Sequence, residues 1–337
     1  YYSFTMIRRC NDFLTNIENI EFADAKKKDD MIGQVKTIRA YNYFNMNWLY
    51  GGVPIIESYE TAEEARVPRN TEEEVKKFIY DELDAAIPML NDAPAASGYI
   101  AKGTALAIKM RSALYYADYQ RAKEAAKAIM DLGQYELDPS FENIFMVSGQ
   151  NSKEIIAAVQ HDENLYSNWM IATMYNNSDA GWSSMVPSKN LIDAYEMSNG
   201  LTKEEAGSGY DPVHPFANRD PRFYRTFAFP GVRWAFDGDP RNASNNNPYT
   251  GEKYNLWNYV WYANETDRDN EEASSSNTYG SDNLLTNAKG FYIRKRSDDL
   301  DINSSARYEF SQANGFKFSG SPYLEIRYAE VLLNYAE

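Results

Sequence analysis

Cysteine, histidine and long apolar runs are nearly absent from this sequence. The single cysteine, Cys10, rules out a disulfide within the chain. The two histidines, His161 and His214, do not have the HExxH spacing of a zinc protease, and the GxSxG elbow of a serine hydrolase does not occur. Since no run of about 18 consecutive apolar residues is present, the sequence predicts no membrane-spanning helix.

The chain also lacks a basic stripe and a signal peptide. Its 34 Lys and Arg against 49 Asp and Glu give a net charge of -15, and the basic residues are scattered, which disfavours a nucleic-acid partner. The N-terminal YYSFTMIRRCNDF has neither the apolar core nor the cleavage site of a signal peptide. Cys10 lies among helix-spaced apolar residues, so we expect a buried thiol and not a reactive one.

What the chain has is a long aromatic helix that stops at two glycines. The stretch RAYNYFNMNWLYGGVPIIE, Arg39 to Glu57, predicts a helix sandwiched between neighbours, with Trp48 and Tyr50 in the core. Gly51 and Gly52 predict a left-handed helix stop followed by an extended chain. No Gly-Lys-Ser/Thr follows, so this is not a phosphate loop.

Further helices follow in antiparallel order. Thr71 and Glu74 form the pattern of a capping box, and Pro88 is expected to end or kink the helix that follows. The buried face of that helix is expected at Val75, Ile79, Leu83 and Ile87. Two alanine-rich helices, 103–117 and 120–132, predict a close-packed hairpin joined at Asp118 and Tyr119. The residues expected to face one another are Ala105, Ile108, Ser112 and Tyr115 on the first helix and Ala122, Ala125, Ala126 and Ile129 on the second. This pattern is similar to a tetratricopeptide hairpin, without the strict 34-residue self-similarity of a true array.

The residue composition changes after Gly133. The segments 154–160 and 291–296 predict short strands, and residues 166–279 are dominated by loop-forming and aromatic residues. We therefore predict a mainly α fold: a tetratricopeptide-like helical-repeat scaffold with a loop-rich, irregular second half containing short strands. The expected division is a helical scaffold over 1–150, a loop-rich ligand-binding region over 151–321 and a returning scaffold helix over 322–337, in one compact unit.

Both ends predict a chain truncated from a longer protein. Tyr1 enters a helix directly. The last segment, SPYLEIRYAEVLLNYAE, has the pattern of an amphipathic helix that stops at Glu337 without a glycine, proline or polar cap. Within it Arg327 and Glu330 are three residues apart, so they are expected to support the helix or to pair with a neighbouring element.

Four further stretches lie at ordered spacings after the aromatic helix. They are GTALAIKMRSALYYADYQRAKEAAKAIM, ANRDPRFY, GFYIRKR and YLEIRYAEVLLNYAE. With the Arg39–Glu57 stretch, they make the chain resemble the SusD/RagB family over nearly its whole length. The resemblance implies a lipid-anchored protein on the outer-membrane surface of Bacteroidetes cells. It also implies glycan binding and delivery of the glycan to a SusC-like TonB-dependent transporter as partner.

The ANRDPRFY stretch also has a purely structural interpretation. Asp220 followed by Pro221 predicts the N-cap and first residue of a short helix. The flanking Arg219 and Arg222 are expected to pair with carboxylates. We favour a structural role over a catalytic one here.

Aromatic residues suggest where a sugar would bind. The 27 Tyr, 16 Phe and 6 Trp make 15% of the chain, and many lie in the loop-rich half. Sugars stack their C–H faces on aromatic rings. The resemblance implies ligand-binding aromatics in the loop just before a helix that reads LIDAY, Leu191 to Tyr195. Trp182 matches one such position, and Tyr166, Trp169 and Tyr175 are weaker candidates. Other binding residues of the family would lie before Tyr1, so the site on this chain is expected to be partial.

Other functions stay open at this stage. The resemblance also includes proteins implied to import peptides, and a glycoside hydrolase needs only two carboxylates that a sequence does not locate. Four loop aspartates lack the spacing and glycine of an EF-hand, so solvated acids are favoured over a calcium site: Asp237, Asp239, Asp267 and Asp269. The sequence therefore predicts a binding protein, with no catalytic residue, metal or cofactor assigned.

Overall fold

The computed structural model describes residues 3–58, 61, 63–162, 164–168, 185–212, 215–228, 233–234, 255–256, 292–295 and 320–337. Eight α-helices lie in this part of the chain: α1 (Phe4–Ile17), α2 (Ala25–Tyr50), α3 (Glu72–Ala86), α4 (Lys102–Tyr115), α5 (Tyr119–Asp131), α6 (Lys189–Ala194), α7 (Pro221–Thr226) and α8 (Tyr328–Ala336). The strands are β1 (Ile155–Val159), β2 (Phe227–Ala228), β3 (Arg233–Trp234), β4 (Asn255–Leu256), β5 (Tyr292–Ile293) and β6 (Tyr323–Arg327). The predicted mainly α fold with short strands in its second half is confirmed.

The chain forms two compact units. The first comprises Tyr1–Leu137, Lys153–Ala158 and Leu324–Glu337, and therefore holds α1 to α5 and α8. The second comprises Asp138–Ser152 and Val159–Tyr323, with α6 and α7. The functional division at 150 and 321 stays a prediction.

The helical hairpin of the first unit is confirmed. Asp118 caps α5 by accepting a hydrogen bond from the backbone N–H of Arg121 at 3.2 Å. The small residues expected at the interface are buried: Ala105, Ser112, Ala122, Ala125 and Ala126, with Ile108 and Ile129 between them. Tyr115 was expected in this interface but is half exposed, because it lies in the last turn of α4 and packs edge-on against Trp48.

The start and the end of α3 also follow the sequence. The hydroxyl of Thr71 accepts from the backbone N–H of Glu74, and the Glu74 carboxylate accepts from the N–H of Thr71 at 2.7 Å, which completes the predicted capping box. The helix ends at Ala86, just before Ile87 and Pro88, since proline supplies no N–H donor. Val75, Ile79 and Leu83 form its buried face.

The long helix α2 ends at the two glycines, as predicted. Gly51 takes φ 63° and Gly52 φ 88°, both left-handed. Asn47 fixes the turn, because its side-chain oxygen accepts from the N–H of Gly52 at 2.8 Å. The prediction that Trp48 and Tyr50 lie in the core is wrong: they are 50% and 65% exposed. The buried run of α2 stops at Asn47, so the last turn extends past the residues that cover the helix.

Replacing Gly51 or Gly52 with alanine should lower the free energy of unfolding by different amounts. A Cβ at Gly51 would meet no atom within 4 Å, so Gly51→Ala should cost only the left-handed strain of about 1 kcal/mol. A Cβ at Gly52 would lie 2.4 Å from the carbonyl oxygen of Asn70, so Gly52→Ala must also displace backbone. We expect Gly52→Ala to cost about 2 kcal/mol. Urea unfolding checks this, and equal midpoints for the two variants would contradict it.

The C-terminal segment is only half helical. Tyr323–Arg327 forms β6, which pairs with β1, and only Tyr328–Ala336 is helix. The expectation of one helix over this segment is wrong. Leu324 and Ile326 alternate with Tyr323, Glu325 and Arg327, which is the spacing of a strand. In α8 Val331 is fully buried and Leu333 is exposed.

The second unit has a small aromatic core. Ile192 of α6 and Phe223 of α7 are buried together with Phe227, and the ring of Tyr195 packs edge-on against Phe223 and Phe227. Its strands are two residues long: β2 pairs with β5 and β3 pairs with β4, both antiparallel. The predicted strand at 291–296 is thus confirmed over Tyr292–Ile293.

Candidate functional site

A short hairpin of the second unit presents one of the predicted site residues, Tyr166. Asp162 and Tyr166 form an antiparallel bridge with N–H···O distances of 3.0 and 3.1 Å. The Asp162 carboxylate accepts from the backbone N–H groups of Asn164 and Leu165, both at 2.9 Å. Those two donors hold the pKa of Asp162 below its usual value, because they stabilise the charged carboxylate. The hairpin is therefore closed by both backbone and side-chain hydrogen bonds.

The ring of Tyr166 is stacked on one side. His161 lies parallel to it, with ring centroids 5.0 Å apart and an interplanar angle of 6°. Nδ1 of His161 lies 3.0 Å from the carbonyl oxygen of Tyr166. Because a carbonyl oxygen can only accept, Nδ1 carries the proton in this contact. Tyr166 is nevertheless 62% exposed.

The other three predicted site residues, Trp169, Tyr175 and Trp182, lie outside the described residues. The described chain on either side of them is anchored. Asn168 is buried and donates from Nδ2 to the carbonyl of Ser321 at 2.9 Å. Beyond the gap, the hydroxyl of Ser188 caps α6 by accepting from the N–H of Leu191 at 3.2 Å. The predicted LIDAY helix is confirmed, beginning two residues earlier at Lys189 and ending before Tyr195.

Arg219 holds α6 from the side. Its guanidinium donates to the carbonyls of Pro215, Ile192 and Tyr195 at 3.1, 2.8 and 2.7 Å, and lies 4.7 Å from the ring centre of Phe223. The expectation that Arg219 pairs with a carboxylate is wrong, because its guanidinium donates to backbone carbonyls instead, two of them at the end of α6. Burial lowers the pKa of Arg219.

The Asp-Pro-Arg turn is confirmed as a helix start. Asp220 is the N-cap of α7 and accepts from the N–H of Arg222 at 2.7 Å, with Pro221 in the first turn. The Arg222 side chain also donates to Asp220, as expected of one of the two flanking arginines. These contacts are structural and support the core of the second unit.

No metal centre is found where the chain is described. There, no group of three or more His, Cys, Asp and Glu side chains is placed to hold an ion. The four aspartates weighed for calcium (Asp237, Asp239, Asp267 and Asp269) lie outside the described residues. Cys10 is buried as predicted, and burial raises the pKa of its thiol to about 11, so it is a poor nucleophile.

Two exposed features were missed by the sequence interpretation. His161 was weighed only as a zinc ligand, although a histidine and a tyrosine flanking an aspartate turn at the end of a strand could have indicated a hairpin. Trp48 and Tyr115 form a half-exposed edge-to-face pair with ring centroids 6.2 Å apart. Nothing in the helical spacing of α2 distinguished Trp48 from its buried neighbours.

The described helices include none that is both long and apolar enough to cross a membrane. The architecture is thus a helical-repeat scaffold, with a second unit that presents an exposed aromatic hairpin. These features define a mainly α protein of the helical-repeat class.

Comparison with known families identifies the chain within that class. The profile described as the SusD family matches residues 141–337, and one described as "Starch-binding associating with outer membrane" matches residues 1–114. The chain belongs to the SusD family, as the sequence motifs predicted.

Individual relatives and solved structures are consistent with this family. The SusD-like protein P38 of Formosa agariphila is 23% identical over 256 residues, which cover 68% of this chain and 50% of that protein. A SusD-like protein structure from Bacteroides fragilis has a TM-score of 0.72 at 26% identity, covering 98% of this chain and 61% of that one. A SusD-like carbohydrate-binding protein from the same species has a TM-score of 0.71 at 24% identity, covering 98% and 58%. The chain spans about half the length of the P38 protein.

Proposed function

We propose that the protein containing this chain binds glycans at the outer-membrane surface without converting them. The observation that carries the proposal is the family match, since the profile over residues 1–114 describes starch-binding proteins that associate with the outer membrane. A structural neighbour is itself described as a carbohydrate-binding protein. On this proposal the bound glycan passes to a SusC-like TonB-dependent transporter, and a lipid anchor outside this chain holds the protein to the membrane.

Residues 151–321 are the proposed ligand-binding region. Tyr166 supports this assignment, because its exposed ring on a closed hairpin suits stacking against a sugar. Trp182, Trp169 and Tyr175 are proposed to complete the aromatic surface. No cofactor or metal takes part in the proposed binding, since stacking and hydrogen bonds are sufficient to hold a neutral sugar.

A ligand panel tests the proposed function. The full-length mature protein is incubated with soluble starch, xylan, galactomannan and pectin, and separately with casein peptides. Both retained binding and new reducing ends are measured. We expect retention of at least one polysaccharide and no cleavage. New reducing ends would identify a hydrolase, and binding confined to peptides would identify a peptide importer.

Removing the Tyr166 ring should weaken glycan binding. Loss of one stacked aromatic face costs about 1 kcal/mol, so we expect Tyr166→Ala to raise the Kd of the retained polysaccharide about fivefold. Tyr119→Ala is the matched control, because Tyr119 is 58% exposed but lies at the start of α5 in the first unit. Isothermal titration measures both. Equal Kd values for Tyr166→Ala and Tyr119→Ala would remove Tyr166 from the site.

A further inference from the structure

The two faces of the Tyr166 ring are not equivalent. His161 lies against part of one face in an offset parallel stack with centroids 5.0 Å apart. The residue is still 62% exposed, so most of its surface lies clear of the imidazole and is open to a second partner. A ring backed on one face and open on the other is a platform for one flat partner.

The platform has few ways to move. The Asp162–Tyr166 bridge fixes the backbone of both residues beside the rings, and the Asp162 carboxylate closes the loop between them. The hydrogen bond from Nδ1 of His161 to the Tyr166 carbonyl sets the orientation of the imidazole. The stack is therefore held by contacts that do not involve the open face.

We infer that His161 is a positioning residue that holds the open face of Tyr166 outward for the flat C–H face of a pyranose ring. The inference rests on the proposed glycan binding and adds a residue that the family resemblance did not indicate. His161 acts through Tyr166 and not by touching the sugar.

The physical basis is preorganisation. A solvent-exposed tyrosine samples several rotamers, and binding a sugar would restrict it to one. A ring already stacked on the imidazole has lost that freedom before the sugar arrives. The contribution of His161 should therefore come from its flat ring and not from its proton donor.

Three variants of the full-length protein separate these two properties. His161→Ala removes both the flat ring and the hydrogen-bond donor. His161→Phe keeps a flat ring without the donor, and His161→Gln keeps a donor without the ring. Titration with soluble starch measures affinity, with the best retained polysaccharide of the panel used if starch does not bind.

We expect His161→Ala and His161→Gln to bind about threefold more weakly than wild type, less than the loss in Tyr166→Ala because the Tyr166 ring is still present. His161→Phe should bind like wild type. Wild-type affinity in His161→Ala would overturn the inference. So would wild-type affinity in His161→Gln together with weak binding by His161→Phe, because the hydrogen bond would then be the operative contact.

A second measurement does not depend on any ligand. The ring protons of Tyr166, assigned by their loss in Tyr166→Phe, should be shifted by the ring current of residue 161 in wild type and in His161→Phe, but not in His161→Ala. An unchanged shift in His161→Ala would overturn the stack. If the shift is present but no polysaccharide binds the wild type, the proposed function fails and the inference falls with it. That outcome differs from failure of positioning alone, in which wild type and His161→Ala bind equally.

Discussion

Arg39→Met is expected to destabilise the first unit by about 4 kcal/mol. Arg39 is buried in α2 and donates from Nε to the Glu82 carboxylate of α3 at 2.7 Å and from Nη1 to the Asn11 amide oxygen of α1 at 2.8 Å. One guanidinium therefore joins three helices. Glu82 is buried and is also paired with Lys36 at 2.8 Å. In the variant, Lys36 would be the only one of these two cations left beside it. Denaturant unfolding measures the loss as a lower midpoint.

An exposed arginine provides the control. Arg66 pairs with Glu63 at 3.8 Å, and both side chains are more than three-quarters exposed, so Arg66→Met should change stability by less than about 0.5 kcal/mol. The double variant Arg39→Met/Glu82→Leu should recover part of the loss, because it also removes the buried carboxylate oxygen that Arg39 no longer contacts. If Arg39→Met unfolds at the same midpoint as Arg66→Met, the buried pair does not stabilise the helices.

The sequence predicted those features whose partners lie within a few residues. The Thr71–Glu74 capping box, the Gly51 helix stop and the Asp220–Pro221 helix start each depend on contacts inside one turn. Residue type and spacing are enough to specify such contacts. The buried faces of α3 and of the α4–α5 hairpin also followed from periodicity, because each helix packs against its neighbour in the chain.

Features that depend on distant partners could not be predicted in this way. Trp48 has the same helical spacing as its buried neighbours, and only the extent of the covering helices leaves it exposed. At the candidate site, resemblance pointed to Tyr166, but its stack on His161 depends on the backbone path of a hairpin. The strand β6 was missed because its partner β1 lies far earlier in the chain, and the helical spacing of α8 was extended back over the strand.

Arg111 contacts partners far along the chain, and its removal is the second change expected to cause a large loss of stability. It donates from Nε and Nη2 to both carboxylate oxygens of Glu330 at 2.7 Å, and from Nη1 to Glu325 at 2.6 Å. Glu330 lies 219 residues further along the chain, in α8. Arg111→Met would leave two partly buried carboxylates without this cation, so we expect a loss of about 3 kcal/mol.

The loss should be concentrated at the C-terminal segment, which gives the prediction its sharpest test. Hydrogen exchange should show reduced protection in β6 and α8, while α3 keeps its protection. Arg111→Lys keeps the charge but cannot form the two-pronged bond to Glu330, so it should lie between wild type and Arg111→Met. Lys127→Met, which removes an exposed pair with Asp131 on α5, should change little. Uniform loss of protection across the first unit would instead mean that β6 and α8 unfold together with the helical scaffold, and that Arg111 stabilises the whole unit.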